Sequence, residues 1–125
     1  MVWCVVPPLK LMFFKRTVGP VPSLWISKVT ETLKRGLGSE IEWTAGGFSR
    51  WQRFGRRGEA YTAMLKALCV PGVKGKWVKM PINEGETYAF FFMKDGETMY
   101  GKICLRKDGN GILIYSAHEN EKDQL

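Results

Sequence analysis

His118 is the sole histidine of this 125-residue chain and stands near the end of the run IYSAHEN. Imidazole exchanges protons near neutral pH, so it can work as a general acid or base, with adjacent Glu119 available to orient or tune it. Lys102, Arg106 and Tyr115, together with Tyr100, add groups of the same kind. Cleavage of RNA by its own 2′-hydroxyl needs a base for that hydroxyl, positive charge on the in-flight phosphate and an acid for the leaving oxygen. His118, Lys102, Arg106 and Tyr115 can fill these roles. The competing reading is a strand-end histidine without a role beside an ordinary solvated sheet face. Ser116 is a weaker candidate, because no second histidine is there to activate it and Ser-His at alternate strand positions is not a triad.

A second constellation is GGFSRWQRFGRR, which interleaves Phe48, Trp51 and Phe54 with Arg50, Arg53, Arg56 and Arg57. Guanidinium planes grip phosphates in two-pronged fashion and stack on rings, while aromatic side chains stack on unpaired bases. The mixture suits single-stranded or distorted RNA better than a smooth duplex. Lys74, Lys76 and Tyr100 extend the expected nucleic-acid surface. Alternatively, the three rings, spaced by three, form one core-facing edge and the arginines face water. Four arginines in eight residues exceed what a core-facing turn requires, which favours the nucleic-acid reading.

The charge distribution points the same way. Residues 1–83 hold 14 Lys and Arg against 4 Asp and Glu, whereas residues 84–125 hold 5 against 8. Residues 50–79 alone carry eight basic side chains against Glu59, matching the +7 of the whole chain. Such a concentration attracts phosphates by releasing counterions, although a solubilising surface would look similar. No phosphate-binding Gly-rich loop, nucleotide fingerprint, HExxH or paired-cysteine motif occurs, and GRRGEAY reads only as a helix entrance. No metal or cofactor is therefore expected. Cys4, Cys69 and Cys104 are too few and too far apart for a disulfide framework or a zinc site. The apolar start, MVWCVVPPLKLMFF, is broken by Pro7, Pro8 and Lys10, lacks a preceding basic segment and is too short to span a bilayer. It reads as an N-terminal arm or edge strand of a cytoplasmic protein with no membrane partner.

These residues need elements to hold them. Ser23 after Pro20 and Pro22 reads as an N-cap, Trp25, Ile26, Val29 and Leu33 follow at helical spacing, and Gly36 ends the helix. Gly46, Gly47, Gly55 and Gly58 puncture residues 44–58, which read as a functional loop with one helical turn at most. Tyr61, Met64, Leu65 and Leu68 mark a second helix, ended by Pro71-Gly72. From Lys76 the period becomes two, giving strands over Lys76–Ile82, Thr87–Lys94, Glu97–Arg106 and Ile112–His118. With 45% hydrophobic residues and no linker, the chain reads as one α+β domain, 1–125. It comprises an arm or edge strand over 1–21, a helical part over 22–72 with the basic loop at 44–58, and an antiparallel sheet over 76–119. In this fold two N-terminal helices pack on a three- to four-stranded antiparallel β-meander, and a homodimer is one option for the assembly.

Turn chemistry assigns the faces. A two-residue loop at Asp95-Gly96 sets Lys94 opposite Glu97, Phe92 opposite Met99 and Phe90 opposite Gly101. Tyr88, Phe90, Phe92, Met99, Ile103 and Leu105 then face the core, and Phe91, Tyr100, Lys102, Cys104 and Arg106 face away. A loop of two or four residues at Asp108–Gly111 adds Ile112, Ile114, Ser116 and His118 to the core side, with Gly101 opening space near His118. A loop of three or five residues reverses this.

Two helices with a basic loop followed by an antiparallel meander resemble the RelE-like toxins and the wider group of barnase, EndoU and colicin-type ribonucleases. The resemblance covers residues 22–120 in architecture. At residue level it rests on MYGKICLRKDGNGILIYSAHE, where Lys102, Arg106, Tyr115 and His118 stand where such families place basic and proton-transferring groups. It implies a metal-independent endoribonuclease of toxin type acting on mRNA or tRNA. The arginine loop would grip the backbone, those four residues would surround the scissile phosphate, and an acidic antitoxin or inhibitor protein would be the partner. Two other classes remain open: a non-catalytic RNA- or DNA-binding protein of phage or plasmid type, and an interaction protein that inhibits a nucleic-acid enzyme.

Overall fold

A computed structural model describes residues 18–82, 84–109 and 111–121. The chain enters through a two-residue strand, β1 (Gly19–Pro20), and turns into α1 (Ser23–Arg35). Pro22 takes the N-cap position expected for Ser23, without a side-chain cap. Trp25, Val29 and Leu33 form the buried stripe, and Thr30 and Thr32 are buried beside them. Their hydroxyls donate to the carbonyls of Ile26 (2.7 Å) and Lys28 (2.9 Å), so the helix itself satisfies them. At Gly36 the backbone becomes left-handed (φ 62°) and its N–H closes on the Thr32 carbonyl, ending the helix.

After the three-residue strand β2 (Ile41–Trp43), the segment expected as a loop forms α2 (Ala45–Trp51) and leads into α3 (Arg57–Leu68). Thr44 caps α2 by accepting from the Gly47 N–H at 3.0 Å. Glu59 caps the start of α3 through the Arg56 N–H. Glycine is required at position 47: a Cβ there would lie 2.7 Å from the Tyr115 carbonyl and 3.1 Å from that of Ile114. Backbone contact with β6 thus overrides the poor helix propensity of Gly46 and Gly47.

The remaining strands are β3 (Lys74–Val78), β4 (Gly85–Lys94), β5 (Glu97–Arg106) and β6 (Ile112–Glu119), and the sheet order is β1-β3-β4-β5-β6-β2. All neighbours are antiparallel except β2 and β6, which are parallel. The fold is therefore α+β, but among the described residues it has three helices and a six-stranded mixed sheet rather than two helices on a three- to four-stranded meander. Strands of two and three residues carry no readable period, and distant partners create them. Asp95 (φ 51°) and Gly96 (φ 83°) form the tight turn, and Lys94–Glu97, Phe92–Met99 and Phe90–Gly101 pair as the turn requires.

The second hairpin departs from expectation at a β-bulge. Ile103 pairs with Ile114, but Lys102 pairs with Ser116, so Tyr115 is an extra residue and every later side chain changes face. Ile112 and Ile114 point to the helices as expected, whereas Ser116 and His118 point away and Ala117 takes the core side. The bulge is held from outside the hairpin. The Thr44 N–H donates to the Ile114 carbonyl at 3.1 Å, and the Thr44 hydroxyl donates to the Tyr115 carbonyl at 3.3 Å.

All three helices cover one side of the sheet, with Trp25, Val29, Trp51, Met64 and Leu68 packed against Phe90, Phe92, Met99, Ile103 and Ile114. Among the described residues no helix is long and apolar enough to cross a membrane. The expected arm over 1–21 lies mostly outside the described residues, and its last part supplies the edge strand β1.

Candidate nucleic-acid interface

Register lays out in transverse rows the sheet face on which, among the described residues, no helix packs, although Thr87, Ala89, Tyr100, Cys104, Leu113 and His118 on it are buried. Lys76 pairs with Ala89, Ala89 with Lys102 and Lys102 with Ser116, so two lysines flank a fully buried alanine. At the usual strand spacing their backbones are about 10 Å apart. The adjacent row is aromatic: Phe91 pairs with Tyr100 and Tyr100 with His118. On the opposite flank run Thr87, Cys104, Leu113 and Glu42.

Lys76 and Lys102 are half-buried, and among the described residues neither forms an ion pair. Burial lowers the pKa of the Lys102 ammonium, which lies 5.9 Å from the centre of the Tyr115 ring. A buried cation without a carboxylate is costly, and an anionic ligand would relieve the cost. Burial, followed by the Glu84 carboxylate, raises the Tyr115 phenol, whose oxygen is 3.4 Å from Glu84. Arg106 lies four residues along β5 from Lys102, about 13 Å at the strand rise. Its guanidinium is in close contact with Glu42, the main cause of its raised pKa.

His118 is 4% exposed, and its ring lies 5.3 Å from that of Tyr100, itself 8% exposed. Its Nδ1 is 2.8 Å from the Glu119 carbonyl, which can only accept, so Nδ1 carries the proton. Glu119 thus orients His118 through its backbone, and its carboxylate is used elsewhere. The space expected beside Gly101 is absent: Gly101 pairs with Ala117 on the core side, and the rings of Phe90 and Phe92 fill the place of its missing Cβ.

The arginine segment lies in the helix layer, away from this face. Trp51 is completely buried, with its ring against Phe92 and Phe54 and its indole N–H on the Arg56 carbonyl at 2.8 Å. Phe54 packs partly buried on the core, and Phe48 meets Trp43 edge-on. The expectation that Trp51 and Phe54 stack on bases is therefore corrected: Trp51 ends α2 on its inward face, and Phe54 folds back against it from the turn that follows. Arg50 pairs with Glu119 (3.1 Å) and Glu121 (2.9 Å), and Arg53 with Glu119 (3.5 Å), so both have acidic partners. Arg57 lies over the Phe48 ring, and Arg56 is exposed.

The expected residues thus form two groups rather than one cleft. Lys76, Tyr100, Lys102, Arg106, Tyr115 and His118 share the face away from the described helices. Arg50, Arg53, Arg56 and Arg57 lie in the helix layer, and Lys74 stands exposed at the sheet edge beside β1. Phe91, 37% exposed at the end of the aromatic row, faces away from the core as the register predicts, but was not among the expected binding residues. Among the described residues no three His, Cys, Asp or Glu side chains converge as a metal site needs.

The protein is thus an α+β fold in which, among the described residues, the sheet face away from the helices carries two lysines without an ion pair beside a row of rings. No family model, curated protein or solved structure matches the chain.

Proposed function

We propose that this chain is an RNA-binding protein that takes single-stranded RNA on the sheet face away from its described helices. Phosphates sit at Lys76 and Lys102, and Tyr115 lies against a sugar or base. The observation that carries the proposal is the Lys76–Ala89–Lys102 row, two cations without an ion pair among the described residues, with one strand between them. The test is fluorescence anisotropy with a labelled oligouridylate. The variant Lys76→Ala/Lys102→Ala should bind at least tenfold more weakly, while Arg53→Ala stays within twofold. Equal affinity for the double variant and the parent would refute the assignment.

A second reading, metal-independent cleavage of the bound RNA, is favoured by Lys102, whose burial makes the neutral amine more accessible as a base. The 2′-oxygen would lose its proton to Lys102 and attack phosphorus, closing a 2′,3′-cyclic phosphate as the bond to the 5′-oxygen breaks. The Tyr115 phenol would return a proton to the leaving oxygen, since Nε2 of His118 is an acceptor while Nδ1 holds the ring proton. His118, 4% exposed in the row beside Tyr100, takes no part unless that face opens. Incubation with total RNA in chelator decides between the readings: discrete fragments that vanish in Lys102→Ala support cleavage, and retained intact RNA leaves a binder.

A further inference from the structure

The β3 ladder on β4 ends at the pair Lys76–Ala89, yet β4 continues to Lys94. Along Phe90–Lys94, about 13 Å at the strand rise, no described residue pairs with β4 in a ladder on that side, and β3 itself reaches back only to Lys74. Hydrogen-bonded and non-hydrogen-bonded pairs alternate, and the tight turn makes Lys94–Glu97 and Phe92–Met99 the bonded pairs with β5. The N–H and C=O groups of Phe91 and Met93 therefore point into the gap. A groove of about 600 Å³ occupies it, lined by Ala67, Val70 and Val73 on one side and Phe91 and Met93 on the other, with Lys66 and Lys74 at its rim. Val70 is 56% and Met93 55% exposed, so apolar surface and an unpaired strand edge lie open together.

We infer that this groove receives an extended, acidic segment of a partner protein, which adds to the sheet as a strand beside Phe91–Met93. The main-chain groups of the segment would pair with those of Phe91 and Met93, and alternate apolar side chains would enter between Val70 and Met93. Charge selects the occupant. No acidic residue lines the groove, and among the described residues neither Lys66 nor Lys74 forms an ion pair. A second copy would bring the same lysines together on a chain of net charge +7, and residues 1–17 carry Lys10, Lys15 and Arg16 with no acid. Both are disfavoured by the repulsion that would attract an acidic strand. The inference does not rest on RNA binding.

The test is amide hydrogen exchange and chemical-shift mapping of the full chain with a synthetic eight-residue peptide alternating Glu and Val, against a control alternating Lys and Val. The acidic peptide should slow exchange at Phe91 and Met93 and shift Val70, and the basic control should do neither. Lys66→Glu/Lys74→Glu should weaken the acidic peptide at least tenfold. Val70→Glu should remove its binding while leaving affinity for oligouridylate within twofold, which separates failure here from failure of the RNA reading. Unprotected Phe91 and Met93 amides at saturating peptide, equal binding of both peptides, or a dimer in sedimentation that occupies this edge would each overturn the inference.

Discussion

Tyr100 and His118 face each other across β5 and β6, their ring centroids 5.3 Å apart and their planes inclined by 32°, on the same face as Lys102. The pairing exists because Tyr115 is an extra residue in β6; without it His118 would point into the helix layer. Thr44 holds the bulge carbonyls, and Gly47 lets α2 approach them. The identity of the residues on the candidate face is thus decided some seventy positions earlier in the chain.

Adding a methyl group at that contact should be felt in the fold. Gly47→Ala must push α2 off Ile114 and Tyr115, costing about 1–3 kcal/mol as other overpacked sites do. Thr44→Ala, which removes a cap and a bulge contact, should cost about 1 kcal/mol. Denaturant midpoints measure both, and the Tyr100–His118 ring contact, read by NMR, should weaken in Gly47→Ala. Unchanged midpoints would mean that the bulge is held by the hairpin alone.

Trp51 and Arg53 are neighbours in sequence with opposite expected behaviour. Trp51→Ala empties a fully buried site and should cost about 3–5 kcal/mol, while Arg53→Ala removes an exposed ion pair and should stay within about 1 kcal/mol. Thermal unfolding of the two variants checks this. A stable Trp51→Ala variant that loses RNA affinity would restore the base-stacking role.

Lys102 links stability to pH. Burial lowers its pKa in the folded chain, so between that lowered value and the ordinary lysine value near ~10.4 the unfolded chain binds more protons, and stability from this group rises with pH. Below that window the full cost of the buried charge is carried. Tyr100 and Tyr115 are raised by burial and act oppositely, losing stability as alkaline pH rises. Comparing Lys102→Met with the parent isolates the lysine: the variant should be more stable at neutral pH, and its advantage should shrink as pH climbs. An advantage independent of pH would rule out this linkage.

What was legible in the chain was local. Asp95-Gly96 accepts positive φ, and that turn sets the register of β4 on β5 and hence the core role of Phe90, Phe92, Met99 and Ile103. Gly36 marked the end of α1 for the same reason. What could not be read depended on distant partners. The strand at Ile41–Trp43 exists only beside Ile112–Ile114, and α2 forms despite two glycines because Gly47 packs on β6. The bulge at Tyr115 reversed the face of Ser116 and His118, and the rings of Trp51 and Phe54 turned to the core whatever the charge of Arg53 between them. Lys102 was recognised as a candidate, but its freedom from acidic partners appears only once the rows are assembled.

The salt dependence of oligouridylate binding probes the lysine row most directly. Each phosphate neutralised on a single strand contributes about 0.7 to the slope of log affinity against log salt. Removing Lys76 and Lys102 together should lower the magnitude of that slope by about 1.4, and Arg53→Ala should leave it unchanged. A double variant with the parent's slope would mean that RNA, if bound, is held elsewhere.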